Sequence, residues 1–229
     1  NVLVFEDKRC TVELQCGSIE IWGDVSAGEE AALVLLLHGA PGEADPPLLA
    51  QWGDKLTQAG LRWLAPSMPT FGGSTGSRLA LQCEKAIKPG GVGDLIVQLL
   101  DYVGAPRAHL VGVDGGGRSA MAWAGNNPKR VKKVVYDARL TYVMSGSDYT
   151  DMMYFLDAQA KHCQALRKKS VLFLWNFASA KDRHDKLRTG TTAKTALRWV
   201  KSVGATLEDR FGWTEDQVAD RVARYLASG

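Results

Sequence analysis

Residues 111–120 read VGVDGGGRSA. An apolar run ends at Val113, a lone aspartate follows, and three glycines lead through Arg118 into a stretch that a helix tolerates. Gly112 and Gly116 stand two positions to either side of Asp114. A turn that sharp holds its tip in a backbone conformation few L-residues adopt, and small flanks are needed for strand and helix to close around it. The stretch predicts a strand over 108–114, a tight turn at Asp114 and a helix over about 117–126.

Working outward, short apolar runs alternate with amphipathic stretches, the pattern of an α/β domain with a mostly parallel sheet. AALVLLLHG (31–39) is apolar on both faces, as a central strand covered by helices should be. PLLAQWGDKLTQAG (47–60) and GVGDLIVQLLDYVG (91–104) carry helical spacing and end on glycine. LRWLAPSMP (61–69) and VKKVVYDA (131–138) read as strands. CTVELQ (10–15) and IEIWGD (19–24) alternate with period two and predict an opening hairpin at a sheet edge.

Farther on, residues 139–169 form a short polar connecting segment with one helical stretch. Strand SVLFLWNF (170–177), helix TAKTALRWVKSVG (192–204), strand ATLED (205–209) and a terminal helix over 214–228 complete the pattern. Thr214 followed three positions later by Gln217 predicts a capping box. Residues 1–229 are read as one domain, with a sheet of about eight strands and helices on both faces.

Composition narrows the function classes. A net charge of +3 in 229 residues is small, and the densest basic clusters, PKRVKK (128–133) and LRKK (166–169), read as solvated helix ends and loops rather than a nucleic-acid surface. Four cysteines without a C-x-x-C pair suggest free thiols in a reducing compartment, although a Cys10–Cys16 bridge is conceivable. No Cys/His cluster has metal spacing, and no cofactor is expected. AALVLLL (31–37) is far shorter than the ~20 residues that cross a bilayer, so a soluble protein is expected. The sequence starts at Asn1, which leaves room for a targeting segment removed upstream.

HGAPG (38–42) after one central strand and GVDGG (112–116) after another, two β-α units apart, resemble the α/β-hydrolase fold along nearly the whole chain. The HGAP stretch and an aspartate at the tip are similar to the aspartate-nucleophile branch, the epoxide hydrolases and the haloalkane and haloacetate dehalogenases. That resemblance implies Asp114 as nucleophile, attacking a saturated carbon and carrying an ester that a histidine-activated water then hydrolyses. It also implies an oxyanion hole from the amides of Gly115 and Ala40.

The rest of the implied triad departs from the family. Asp182 matches the acid position, with Asp137 as the alternative used in part of that branch. In the loop where the family carries its histidine, Trp213 follows Gly212 instead. His38 is read as a structural member of the H-G token, His109 as a satisfied core or edge histidine, and His162 lies mid-helix. His184, two residues beyond Asp182, is a weak substitute base. Arg118 reads as a surface residue. Tyr142, Tyr149 and Tyr154 fall in the 139–169 segment, which is short for a lid, and are read as packing residues.

Two functional classes follow. A chain without its imidazole reads as a non-catalytic member of the fold, a scaffold, binder or subunit of a larger assembly, with partners that are proteins and no nucleic acid. The alternative is an aspartate-nucleophile hydrolase of the epoxide-hydrolase or dehalogenase type with an unconventional base.

Overall fold

The computed structural model describes residues 3–15, 17–38, 46–69, 71–75, 92–139, 166, 171–176 and 204–228. Eight strands form one sheet. They are β1 (Arg9–Leu14), β2 (Gly17–Asp24), β3 (Leu33–Leu37), β4 (Arg62–Pro66), β5 (Ala108–Val113), β6 (Val131–Arg139), β7 (Val171–Asn176) and β8 (Thr206–Asp209). Their spatial order is β1-β2-β4-β3-β5-β6-β7-β8. The hairpin β1–β2 and the β2–β4 pair are antiparallel, and the pairs from β4 through β8 are parallel. Around it stand α1 (Pro46–Gln58), α2 (Val92–Tyr102), α3 (Gly115–Asn126) and α4 (Glu215–Ala227).

The apolar-on-both-faces reading of β3 has a direct structural counterpart. Side chains alternate across a strand, so Leu33, Leu35 and Leu37 enter the layer under α2 and α3, while Val34 and Leu36 enter the layer under α1 and α4. All five are buried. Each helix brings its own stripe: Leu95, Ile96, Leu99 and Leu100 from α2, and Val218, Ala219, Val222, Ala223 and Leu226 from α4. On α1 a glycine sets the packing distance, because a Cβ at Gly53 would lie 2.0 Å from the Trp63 ring. Next to the edge strand β1, β2 buries only alternate residues, Ile19, Ile21 and Gly23, as its period-two pattern requires.

Helix ends follow their sequence signals. Gly60 and Gly104, just past α1 and α2, adopt φ of 73° and 68°. The capping box of α4 is formed: the Gln217 amide donates to the Thr214 hydroxyl and the Thr214 amide donates to the Gln217 side chain. The helix after the aspartate starts at Gly115, two residues earlier than expected, because the turn consumes only Asp114.

Some sequence expectations are corrected. In the basic cluster read as solvated, Lys133 is buried; its ammonium donates to the carbonyls of Tyr225, Leu226 and Ser228 at the end of α4. Period two places it on the covered face of β6, where it caps a helix rather than meeting water. Cys10 is a free thiol, as the sequence suggests, and burial weakens its acidity, its pKa raised to about 11. The connecting segment 139–169, apart from Arg139 and Leu166, and the expected helix over 192–204 lie outside the described residues. Among the described residues no helix is long and apolar enough to cross a membrane.

The strand order reverses direction at the centre. From β3 the chain moves to β4 on one side and then returns to β5 on the other. In such sheets the crevice for a ligand opens outside the carboxyl ends of the two strands flanking that point. Those ends carry His38 and Asp114.

Candidate active site

Asp114 follows the last residue of β5 and stands as N-cap of α3, at φ 47° and ψ −115°. Among the described residues two other non-glycine residues have positive φ, Asp7 and Lys8. They fill a tight turn closed by reciprocal Glu6–Arg9 backbone bonds, where a positive φ at both central residues is ordinary. Asp114 has no such turn to justify it. Its backbone stores strain of about 1–3 kcal/mol, which the surroundings must enforce.

The enforcement is steric. A Cβ at Gly112 would lie 2.4 Å from the Gly117 Cα, and one at Gly116 would lie 2.1 Å from the Leu37 carbonyl oxygen and 2.6 Å from that of His38. A Cβ at Gly117 would enter the Tyr136 ring at 2.2 Å. Thus α3 starts in contact with the ends of β3 and β6, closer than any side chain permits. The Asp114 amide donates to the Asp137 carbonyl at 3.0 Å, tying the tip to β6. Gly115 is the first residue of α3, at the positive end of the helix dipole, where negative charge on a reacting group is stabilised. Ala40, the other expected oxyanion donor, lies outside the described residues.

His38 is buried at the end of β3, and its Nε2 accepts the Met68 amide at 2.8 Å while its ring meets Phe71 edge-on at 5.3 Å. A ring nitrogen that accepts an amide must break that bond to take a proton, so His38 fastens the β4 exit loop to β3. His109 is at the opposite end of β5, about 16 Å along the strand from Asp114 at ~3.3 Å per residue. Its Nδ1 has no hydrogen-bond partner among the described residues, which corrects the reading of a satisfied histidine. Burial, with Lys132 and Lys133 adding repulsion, lowers its pKa to about 4 and keeps it neutral. His162, Asp182 and His184 lie outside the described residues, as do Tyr142, Tyr149 and Tyr154.

Asp137, the alternative acid, is fully buried on β6, level with Val113 of the neighbouring strand. Its partner is Arg210, from the loop between β8 and α4: Nη1 reaches Asp137 Oδ2 at 2.5 Å. The other arm of the guanidinium, Nη2, donates to Glu215 Oε1 at 3.1 Å. Glu215 in turn accepts Trp52 Nε1 of α1 at 3.3 Å. Trp213 is half-buried against the layer under α1 and α4, and its amide donates to the Arg210 carbonyl at 2.9 Å. In the loop where Trp213 draws the eye, the side chain that reaches the β6 acid is therefore Arg210.

Arg210 escaped the sequence reading because one arginine in EDRFGW looks like any loop cation. The available signal was its position, immediately after the last strand and within reach of an inward-facing carboxylate two strands away. The Arg210 Nε has no hydrogen-bond partner among the described residues, a cost of about 1–3 kcal/mol for a buried donor. Among the same residues, no group of three His, Cys, Asp or Glu could hold a metal ion.

A family model described as the alpha/beta hydrolase fold matches residues 32–197. Two curated relatives are 35% identical over 120 residues, 50% of this chain and 38% of theirs. Both are named 2-hydroxy-6-oxononadienedioate/2-hydroxy-6-oxononatrienedioate hydrolase, from Paraburkholderia phymatum and Burkholderia vietnamiensis. The match thus spans well under half of those relatives. Among solved structures, a predicted CIB-like hydrolase from Thermoplasma acidophilum superposes with TM-score 0.66 at 13% identity, over 96% of this chain and 97% of its own. Naproxen esterase from Bacillus subtilis gives 0.61 at 15% identity, over 96% and 91%. At those identities the structures speak for the fold alone.

The expectation of a non-catalytic chain does not stand. Over half its length the chain is one-third identical to hydrolases. It also keeps a strained aspartate on a turn that three glycines hold open, where a relaxed residue would be the more stable choice.

Proposed function

The chain belongs to the α/β-hydrolase fold family, and from that premise we propose that it is an active hydrolase whose reaction starts at Asp114. One observation carries the reading: Asp114 is held at φ 47° and ψ −115° at the carboxyl end of β5, with Gly112 and Gly116 clearing its flanks. Strain of this kind persists where it presents a side chain to a reacting partner. A carboxylate so presented attacks an electrophilic carbon, the carbon's bond to its leaving group breaks, and an ester forms on Asp114. Water then adds to the ester carbonyl. The alcohol departs with the proton that water gives up, and one oxygen of that water stays in the carboxylate.

The Gly115 amide supports the oxyanion of the second step, with Ala40 assigned as the second donor by its place after the H-G pair. His184, the weak substitute base, is the candidate for activating the water, with Asp182 two positions before it in sequence. The names of the curated relatives point to carboxylate-bearing substrates, so the first screen is a set of small epoxides and haloalkanes carrying an acid group.

Intact-mass measurement during turnover tests the proposal. Wild-type protein is expected to gain the mass of one substrate alkyl group held as an ester, and Asp114→Asn is expected to gain none and to lose at least ~10³-fold in rate. An Asp114→Asn variant that retains wild-type turnover contradicts it.

A further inference from the structure

The five groups Trp52, Glu215, Arg210, Asp137 and Asp114 form an unbroken chain of hydrogen bonds. Its links measure 3.3, 3.1, 2.5 and 3.0 Å in that order. They join α1, α4, the loop after β8, β6 and the strained turn. Residues Asp137 and Arg210 are buried, and 73 positions separate them in sequence. A buried carboxylate bonded to a guanidinium at this distance is costly to create and costlier to break, since removal of one partner strands the other. Packing alone does not demand it: an apolar pair of similar volume is often as stable.

We infer that Arg210 is a positioning residue for the nucleophile turn. It clamps the side chain of Asp137, and Asp137 uses its main-chain carbonyl to hold the Asp114 amide. The guanidinium suits this task because it offers a rigid fork, one arm for Asp137 and one for Glu215. Glu215 keeps the second arm occupied, and Trp52 holds Glu215 from α1. The strained tip is thereby fastened to elements on the far side of the sheet rather than to its own strand and helix alone. The inference rests on the reading of Asp114 as the reacting carboxylate only for its catalytic consequence; the clamp itself is a property of the resting protein.

Amide hydrogen exchange on the full chain tests it without substrate. In Arg210→Met the Asp114 amide is expected to exchange at least ~30-fold faster, while Leu110 and Val111 in the middle of β5 stay within ~3-fold. Arg210→Lys, which keeps a cation, is expected to restore protection to within ~3-fold of wild type. Uniform acceleration along β5 would mean that Arg210 only stabilises the fold, and unchanged Asp114 exchange would mean that it holds nothing there; either overturns the inference, as does a lysine variant no better than methionine. Should Arg210→Met fail to fold, Asp137→Leu removes the acceptor of the same link and is held to the same local result. A second readout separates this from the proposed reaction: in folded Arg210→Met, kcat for ester formation falls at least ~10-fold with KM within ~2-fold. Local exchange without any ester in wild type would refute the reaction and leave the clamp standing.

Discussion

The two ends of the sheet bury charge in opposite ways. At the carboxyl ends of the strands a guanidinium lies between two carboxylates, beside a residue held at φ 47°. At the amino ends, Lys133 is buried on the carbonyls that finish α4, with its ammonium 5.1 Å from the Tyr225 ring centroid. Nearby His109 is kept uncharged by burial. The lower charges meet the partners that folding itself supplies, the orphan carbonyls of a helix end. The upper ones need a partner drawn from a distant loop, and they adjoin backbone strain. The strained tip thus lies at the end that carries Asp114, the pattern expected when that end does chemistry. A cleft of about 610 Å³ opens at the amino end, lined by Arg62, Arg107 and Lys132 opposite Glu29, Glu30 and Asp101. It lies across the whole sheet from Asp114.

That contrast can be broken by substitution, beginning with the tightest contact. Gly116→Ala places a methyl group against the Leu37 carbonyl, and the strand end has nowhere to go. A loss of at least ~4 kcal/mol is expected in denaturant unfolding, and a loss below ~1 kcal/mol would contradict a turn closed this tightly.

The lower end should show itself in the pH dependence of stability. Burial lowers the His109 pKa from its ordinary 6.5 to about 4. Between those values the unfolded chain binds the extra proton, so stability is fully present above the upper value and falls as the pH drops toward the lower one. The expected loss is on the order of 3 kcal/mol, read from urea midpoints across the acid range. His109→Gln should flatten that slope; an unchanged slope would place its cause elsewhere.

Replacement of Lys133 by methionine removes the cap on α4 without opening a hole. A loss of about 1–2 kcal/mol is expected, with α4 amides exchanging faster than those of α3. The smallest effect has the opposite sign. Asp114→Gly relieves the strain at the tip, so the protein should gain about 1 kcal/mol while losing its activity. A destabilised glycine variant would show that the Asp114 side chain contributes to the fold.

Most of the fold could be read from local pattern. Period two in 10–15 and 19–24, the two-faced apolar run at 31–39 and the Thr214–Gln217 spacing each describe interactions within a few residues, and each element formed where the pattern placed it. The turn at Asp114 was legible for the same reason, since its glycines are neighbours in sequence. Arg210 and Lys133 were not, because their partners are set by sheet order. Asp137 meets Arg210 only when β6, β7 and β8 lie side by side, and Lys133 meets Tyr225 only when α4 packs back over β6. A cation that caps a helix 92 residues away has the same local sequence as one in water.

The central claim is that Asp114 forms and loses a covalent bond to substrate. A single turnover in water enriched in heavy oxygen, with the protein in excess over substrate, tests it most directly. If water attacks an ester on Asp114, one heavy oxygen appears in the peptide carrying Asp114 and the released alcohol holds the light oxygen that the carboxylate gave up. Heavy oxygen found in the product, with the Asp114 peptide unlabelled, would show that water attacks the substrate itself and would contradict the account.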